Sequence, residues 1–463
     1  MTAKKPLFYS AFVMNTTTPL LHGVWRAPDA ENHKFNSLRH WTSLASTLDK
    51  AGYDLIFFAD VFGLRAPWNG SWKTAAEGGI QVPVNDPLVL ASALAAATEN
   101  LGFVFTSSIV QDHPFNFARR MSTLDHYTDG RLGWNIVTSF NENVFRSFGH
   151  TGTLDHDERY RWAGEYVDLC YKLWEGSWDD GALVQDKEAS LHADPSKIHK
   201  INHVGERYRV EGPHFVSPSP QRTPVLFQAG ASPAGQLFSA RNAEGVFISS
   251  ADPAAAHALV TETRALAEAN GRNADDVVFA KGLSFVIGET HRDAVRKNDE
   301  LKRYVDLEGI VLHALGDAGV DAGGYPLDTP LSELGEFKGV QGYVRWAREA
   351  TGGAEPTIRD IAWVLEGATR VVGTADEIAD HLEEWREAGV AGINVYDVVR
   401  PRSFVEVGDR LFPVLRERGL ISTEKSGTLR QKLLGQGDRL PDRHPAAKYR
   451  GAFTGNDLRN GIG

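Results

Sequence analysis

Residues 102–139 read GFVFTSSIVQDHPFNFARRMSTLDHYTDGRLGWNIVTS, and they hold one complete unit of the fold. Gly102 to Ser108 is a short run of β-formers with a polar end, which predicts a buried strand. Pro114 has the fixed φ that suits a first helical turn, and from there to Tyr127 apolar residues (Phe117, Met121, Leu124) recur every three or four positions, which predicts a helix. Thr128-Asp129-Gly130 interrupts that pattern, and Arg131 to Ser139 forms the next strand. Two strands joined by a helix of this length pair in parallel, because a crossover is required.

The same alternation runs outward in both directions. Further strands are expected at Leu7–Val13, Asp54–Asp60, Pro224–Gly230, Gly245–Ser249, Val277–Gly288 and Gly392–Asp397. Helices are expected at Leu38–Ala51, Pro87–Asn100, Arg159–Trp174, Pro233–Asn242, Pro253–Asn270, Thr374–Ala388 and Ser403–Arg418. Eight strands alternating with helices make an α/β protein and close more naturally into a (β/α)8 TIM barrel than into an open sheet. Residues 61–86, 140–220 and 303–370 break the repeat and read as insertions. In a barrel, such strand-to-helix loops rise over the C-terminal mouth, where active sites lie. Residues 1–418 therefore read as one barrel with insertions. Residues 419–463 read as a C-terminal extension with more Lys and Arg than Asp and Glu, packed along a neighbour or the barrel's outside, with disorder as the alternative.

Composition removes several functional classes. A hydrophobic content of 42% with 24% charged residues is that of a packed globular chain. The 60 acidic residues outnumber 49 Lys and Arg, and the net charge of −11 repels a phosphate backbone, so no nucleic-acid partner is expected. No run approaches the roughly 18–20 apolar residues of a membrane helix, and no signal peptide precedes the first strand, so a cytoplasmic location is expected. Cys170 is the only cysteine, which excludes an intramolecular disulfide and multi-thiolate metal sites. The 16 histidines are scattered and the first strand lacks a His-x-His pair, so no metal is expected. There is neither a Walker loop nor a Gly-x-Gly-x-x-Gly after a strand, which argues against nucleotide and Rossmann NAD sites. Gly230-Ala231-Ser232-Pro233-Ala234 lacks the closing Gly of a nucleophile elbow. Lys281, inside a strand, reads either as a desolvated nucleophile or, more commonly, as a paired lysine.

The strand ends instead suggest a cradle for a phosphorylated planar ligand. Gln228 to Pro233 leads small residues into a Pro-started helix, whose free N–H groups and dipole favour an anion, with the Ser232 hydroxyl as an added donor. An ordinary strand-to-helix turn reads the same way. Asp60 closes the second strand, either as a ligand contact or as a loop cap. Trp134 to Ser139 ends the fourth with polar groups beside an apolar stem, in keeping with a pocket for an amphipathic ring or with plain packing. Phe62, Trp68 and Trp72 in the first insertion, with Phe12 on the first strand, are candidate walls of a substrate pocket, or supports for the loop.

Several motifs in order resemble one family: His22 to Arg26, Ser107 to Phe115, Gly133 to Ser139, Leu154 to Tyr160, Gln228 to Gly235, and Tyr325 to Pro330. They resemble the nitrilotriacetate and dibenzothiophene sulfone monooxygenases, within the bacterial luciferase-like, two-component flavin-dependent monooxygenases, over roughly residues 7–435. The resemblance implies a barrel that takes reduced FMN (FMNH2) from a separate NAD(P)H:flavin reductase and uses O2 on a small organic substrate. It implies flavin contacts at Asp60, at Thr106 or Ser107, and at Asn135. It also implies a phosphate and ribityl site at His156, Tyr160, Gly230, Ala231 and Ser232, and a homodimer or homotetramer. His156 and Tyr160, four apart, serve equally to cap and pack one helix. His313 is the catalytic candidate, although its spacing to Tyr325 departs from the pattern. Val144 to Gly149 is a bulkier version of the corresponding run in relatives. The substrate is expected to be an aromatic sulfone or a haloaromatic rather than an amine polycarboxylate, because a multiply charged substrate would want more Lys and Arg at the mouth. A deazaflavin-dependent oxidoreductase and a non-catalytic flavin-binding protein are the alternatives.

Overall fold

A computed structural model describes residues 5–64, 67–139, 141–152, 154–230, 232–317, 320–334, 347–348 and 351–459. Eight strands form the expected barrel: β1 (Phe8–Met14), β2 (Leu55–Ala59), β3 (Gly102–Ser108), β4 (Leu132–Val137), β5 (Val225–Gln228), β6 (Gly245–Ile248), β7 (Val278–Ile287) and β8 (Gly392–Tyr396). Each pairs in parallel with the next, and β8 closes on β1 from Phe8↔Gly392 to Phe12↔Tyr396.

The period of two along the strands sorts side chains between lumen and helix layer. Phe8, Leu55, Phe57, Val104, Val225, Phe227 and Ala280 fill the lumen. Tyr9, Ile56, Phe58, Phe103 and Phe105 face the surrounding helices. Among these helices α1 (Leu38–Ala51), α2 (Pro114–Tyr127) and α4 (Pro233–Asn242) have the bounds that the sequence predicts; α3 (His156–Tyr171), between α2 and α4, starts three residues early. Ser37 caps α1 by accepting from the His40 N–H, and Gly52 ends it in the left-handed region at φ 95°. α5 (Pro253–Ala269) follows β6.

Two features depart from the expectation. Helix α6 (His291–Leu301), capped by Thr290, was not foreseen, because only Ala294 and Leu301 of it are buried and the apolar period is too sparse to read. The stretch 303–370 also holds regular structure: α7 (Leu307–Asp317), α8 (Ile358–Gly367) and a short strand, Arg370–Gly373. That strand pairs with Ser284–Ile287, the half of β7 that continues past the barrel, while Ala280–Leu283 pair with β8. Val311, Leu315, Leu331, Ile358 and Ile361 form a small separate core there. It is followed by α9 (Ala375–Glu387).

The last segment turns back beneath the barrel. Helix α10 (Leu429–Leu434) places Leu429, Leu433 and Leu434 against the lumen residues. Gly102 and Gly133, on β3 and β4, leave room for it, since a Cβ on either would lie 2.6 and 3.2 Å from the Leu429 methyl carbons. Arg430 and Leu429 are fully buried. No helix among the described residues is long and apolar enough to cross a membrane.

Candidate active site

The C-terminal ends of β2 to β5, with the loops after them, surround a cavity of about 410 Å³. Asp60, Phe62, Thr106, His156, Tyr160, Gly230 and Ser232 all line it, so residues as far apart in sequence as Asp60 and Ser232 meet in one place. Ala231 lies outside the described residues.

One end of the cavity gathers hydroxyl, imidazole and guanidinium groups beside the start of α4. Ser232 caps α4, its Oγ accepting from the Gly235 N–H at 3.1 Å, and the same oxygen lies 3.0 Å from His156 Nε2. His156, Arg159 and Tyr160 project from the first turn of α3 onto one face, as positions i, i+3 and i+4 must. A Cβ on Gly230 or Gly235 would lie 2.9 or 2.8 Å from the Tyr160 hydroxyl, so only glycine lets that hydroxyl reach the start of α4. Arg159 donates to the Ser139 carbonyl, which sits on a residue held at φ 54°, and its Nε has no hydrogen-bond partner. No carboxylate pairs with Arg159 among the described residues. Burial pulls its pKa down, a sign that the charge is poorly compensated in this state.

Elsewhere the cavity is walled by Thr106 and Asp60, with Asn135 buried behind Thr106. Asn135 donates through Nδ2 to Thr106 Oγ1 at 2.9 Å, while its buried Oδ1 has no partner. An orphaned buried acceptor costs roughly 1–3 kcal/mol. Asp60 is half-buried, and its Oδ1 accepts from the Val61 N–H at 2.9 Å. Burial first, and the charge of Asp86 second, push its pKa up to about 7 against the pull of that N–H. The folded protein thus holds a proton here that the unfolded chain releases, so this carboxyl's contribution to stability is lost as pH rises towards and through 7. Asp60→Asn, neutral throughout, should gain in melting temperature over the parent between about pH 5 and about pH 8. A constant gap across that range would show that Asp60 is ionised in the folded state.

Other expected residues lie elsewhere. Ser107 points away from Thr106, as adjacent strand residues must, and donates to Gln111 Oε1 at 2.9 Å; Ser108 faces the cavity in its place and meets Ser139 Oγ at 2.8 Å. Phe12 packs in the lumen, stacked on Phe57 at 5.6 Å and edge-on to Tyr396 at 4.8 Å. Trp68 packs against the small core of the third insertion, and Trp72 is part-exposed before the short helix Lys73–Gly78. His313, on α7, is not in the cavity wall; its Nδ1 lies 2.8 Å from Nε2 of buried His22. Lys281 lies between β7 and α9, donating to the Ser250 carbonyl at 2.7 Å over the Trp385 ring, with burial lowering its pKa to about 8. Sequence reasoning gave no site role to Ser108, Gln111 or Arg159, which line the cavity, whereas Ser139 and Gln228 lie in the two strand-end runs read as pocket and cradle. Period two on β3 and the three-and-four spacing in His156-Asp157-Glu158-Arg159-Tyr160 were signals for Ser108 and Arg159.

The closed eight-stranded parallel barrel, with its polar cavity at the C-terminal ends of the strands, places the protein in the (β/α)8-barrel class. Comparison with known proteins gives the family. The family model described as "Luciferase-like monooxygenase" matches residues 14–392. The long-chain alkane monooxygenase of Geobacillus thermodenitrificans is 40% identical over 96% of this chain and 98% of its own length. The dimethyl-sulfide monooxygenase of Hyphomicrobium sulfonivorans is 39% identical over 98% of this chain and 96% of its own. The crystal structure of DmoA from that organism superposes with a TM-score of 0.92 at 38% identity, covering 99% of each chain. A riboflavin lyase crystallised with modified FMN and riboflavin superposes at 0.86 with 37% identity, covering 96% of this chain and 100% of that one. The dibenzothiophene-sulfone monooxygenase of Rhodococcus erythropolis (33% identity, 94% of this chain, 97% of its own) and nitrilotriacetate monooxygenase component A of Aminobacter aminovorans (32%, 89% and 93%) match as the motif resemblance implied. The chain belongs to the luciferase-like monooxygenase family and is a flavin-dependent oxidoreductase.

Proposed function

We propose that the chain is an FMNH2-dependent monooxygenase that receives reduced FMN from a separate NAD(P)H:flavin reductase and transfers one oxygen atom of O2 to a small organic substrate, an aromatic sulfone or a haloaromatic. The observation that carries this reading is the joining, in one cavity, of an uncompensated Arg159 beside the capped start of α4 with Asp60 and with Thr106, whose hydroxyl accepts from Asn135 behind the wall. The name "component A" of the nitrilotriacetate relative supports a system of two components. The FMN of the riboflavin lyase supports the choice of flavin. Work in the cytoplasm as a homodimer or homotetramer belongs to the same proposal.

Reduced flavin, when bound, supplies the electrons that activate dioxygen, so the protein's part is binding, orientation and exclusion of water. Arg159, Ser232, His156 and Tyr160 would hold the phosphate, with the α4 N-terminus behind it. Asp60 in its neutral form keeps a proton at the cavity wall. Phe62, which meets Phe148 at 5.5 Å, and Val144 form an apolar side that dries the site and suits an uncharged substrate. Three of the relatives are named for uncharged substrates: a long-chain alkane, dimethyl sulfide and dibenzothiophene sulfone. An anaerobic titration should show reduced FMN binding well above oxidised FMN, and oxygen uptake with a flavin reductase should rise with substrate. Equal affinity for the two redox states contradicts the reading. Turnover under nitrogen with a deazaflavin would favour hydride transfer, and absence of oxygen uptake a carrier role.

A further inference from the structure

Behind the cradle lies a chain of hydrogen bonds that the reading above does not use. Ser239, fully buried one and a half turns into α4, donates its hydroxyl to Gln228 Oε1. Gln228, the last residue of β5 and also buried, donates through Nε2 to the Tyr160 hydroxyl oxygen at 3.2 Å. A Cβ on Gly230 would lie 2.4 Å from that amide nitrogen, so the glycine also gives the amide its place. An amide has one accepting and one donating end. With Ser239 holding the accepting end, the donating end must face Tyr160. The tyrosine oxygen is then an acceptor towards the protein interior, and its single proton is directed outward, to the cavity or to Ser232 at the start of α4. Without Ser239 the amide is free to rotate, accept from Tyr160 and draw that proton inward.

We propose that Ser239 and Gln228 are positioning residues that fix the Tyr160 O–H towards the ligand's anionic end, and that this makes the site selective for a phosphorylated flavin over its dephosphorylated form. The inference rests on the flavin reading of the cavity. Burial raises the Tyr160 pKa, which keeps the proton present to be donated at neutral pH.

The test compares dissociation constants for reduced FMN and reduced riboflavin, measured anaerobically by flavin absorbance. Ser239→Ala should weaken FMN about 3- to 10-fold, the range of one net hydrogen bond, and leave riboflavin unchanged. Ser239→Thr, which restores the hydroxyl, should bind both as the parent does. In a Tyr160→Phe background Ser239→Ala should have no further effect, because the proton it directs is gone. A purely structural Ser239 would weaken both flavins equally or add its effect to that of Tyr160→Phe, and either result overturns the inference. So does unchanged FMN affinity in Ser239→Ala when the parent prefers FMN. A parent that binds FMN and riboflavin equally overturns the cradle itself, and this inference with it.

Discussion

Arg159→Met is expected to weaken reduced FMN about 10- to 100-fold while leaving the melting temperature of the ligand-free protein unchanged or higher. The two signs follow from one fact. Arg159 lies at the cavity wall with no carboxylate partner among the described residues, and its contact is the Ser139 carbonyl. A half-buried cation without a counter-charge costs stability, and removing it to a straight aliphatic chain of similar length recovers that cost. A phosphate reverses the balance: charge-assisted bonds to a guanidinium contribute roughly 1.5–3 kcal/mol each, stronger than neutral ones. The parent should therefore gain melting temperature with FMN and the variant should gain little. Arg159→Lys keeps the charge but not the planar fork, and should recover affinity only in part. Equal FMN affinity in parent and Arg159→Met would remove Arg159 from the cradle. A large loss of ligand-free stability would instead assign it to holding Ser139 at positive φ.

The barrel was legible because its signals are local. In Gly102 to Ser108 every residue is buried, and the run of β-formers between a glycine and a polar end is visible without any partner. α2 begins at a proline and carries a regular apolar stripe, and its bounds were read to the residue. α6 was not legible, since its sequence HRDAVRKNDEL buries two side chains and is held mainly by a cap and surface ion pairs. Of the site, the strand-end residues could be placed because barrel geometry brings all strand ends to one mouth. The insertions were legible only in part: the motif resemblance pointed to His156 and Tyr160, which line the cavity, but sequence does not say where a long loop returns. Trp68 illustrates this: it follows β2 by nine residues yet packs with residues after 310. Ser107 illustrates a different failure, in which the strand period already forbade Thr106 and Ser107 from sharing a face.

The C-terminal segment sets the second large expectation: Arg430→Ala should destabilise the protein by about 3–5 kcal/mol, the usual result of removing one partner of a buried ion pair. Arg430 is fully buried on α10, its Nε donating to Glu244 Oε1 at 2.6 Å and its Nη2 to Oε2 at 2.9 Å. Nη2 also donates to the Thr223 carbonyl at 2.9 Å, just before β5, and Nη1 to the Asp438 carbonyl. Glu244 in turn accepts from the Leu226 N–H at 3.1 Å, so the pair fastens the tail to the starts of β5 and β6. Gln221 extends the network by donating to Asp125 on α2 and to the Leu132 carbonyl at 2.8 Å, at the start of β4. Alanine leaves a carboxylate buried without its cation, and the backbone carbonyls of Thr223 and Asp438 without donors. Leu429 meanwhile loses the anchor that presses it against Gly102 and Gly133, so lumen packing weakens with the network. Glu244→Gln combined with Arg430→Met should recover much of the loss, since no charge is then left unpaired and the aliphatic stem still fills the space. Denaturant midpoints of the three proteins measure this directly. A loss below about 1 kcal/mol for Arg430→Ala, the scale of an exposed pair, would mean that the tail does not close the barrel floor in solution.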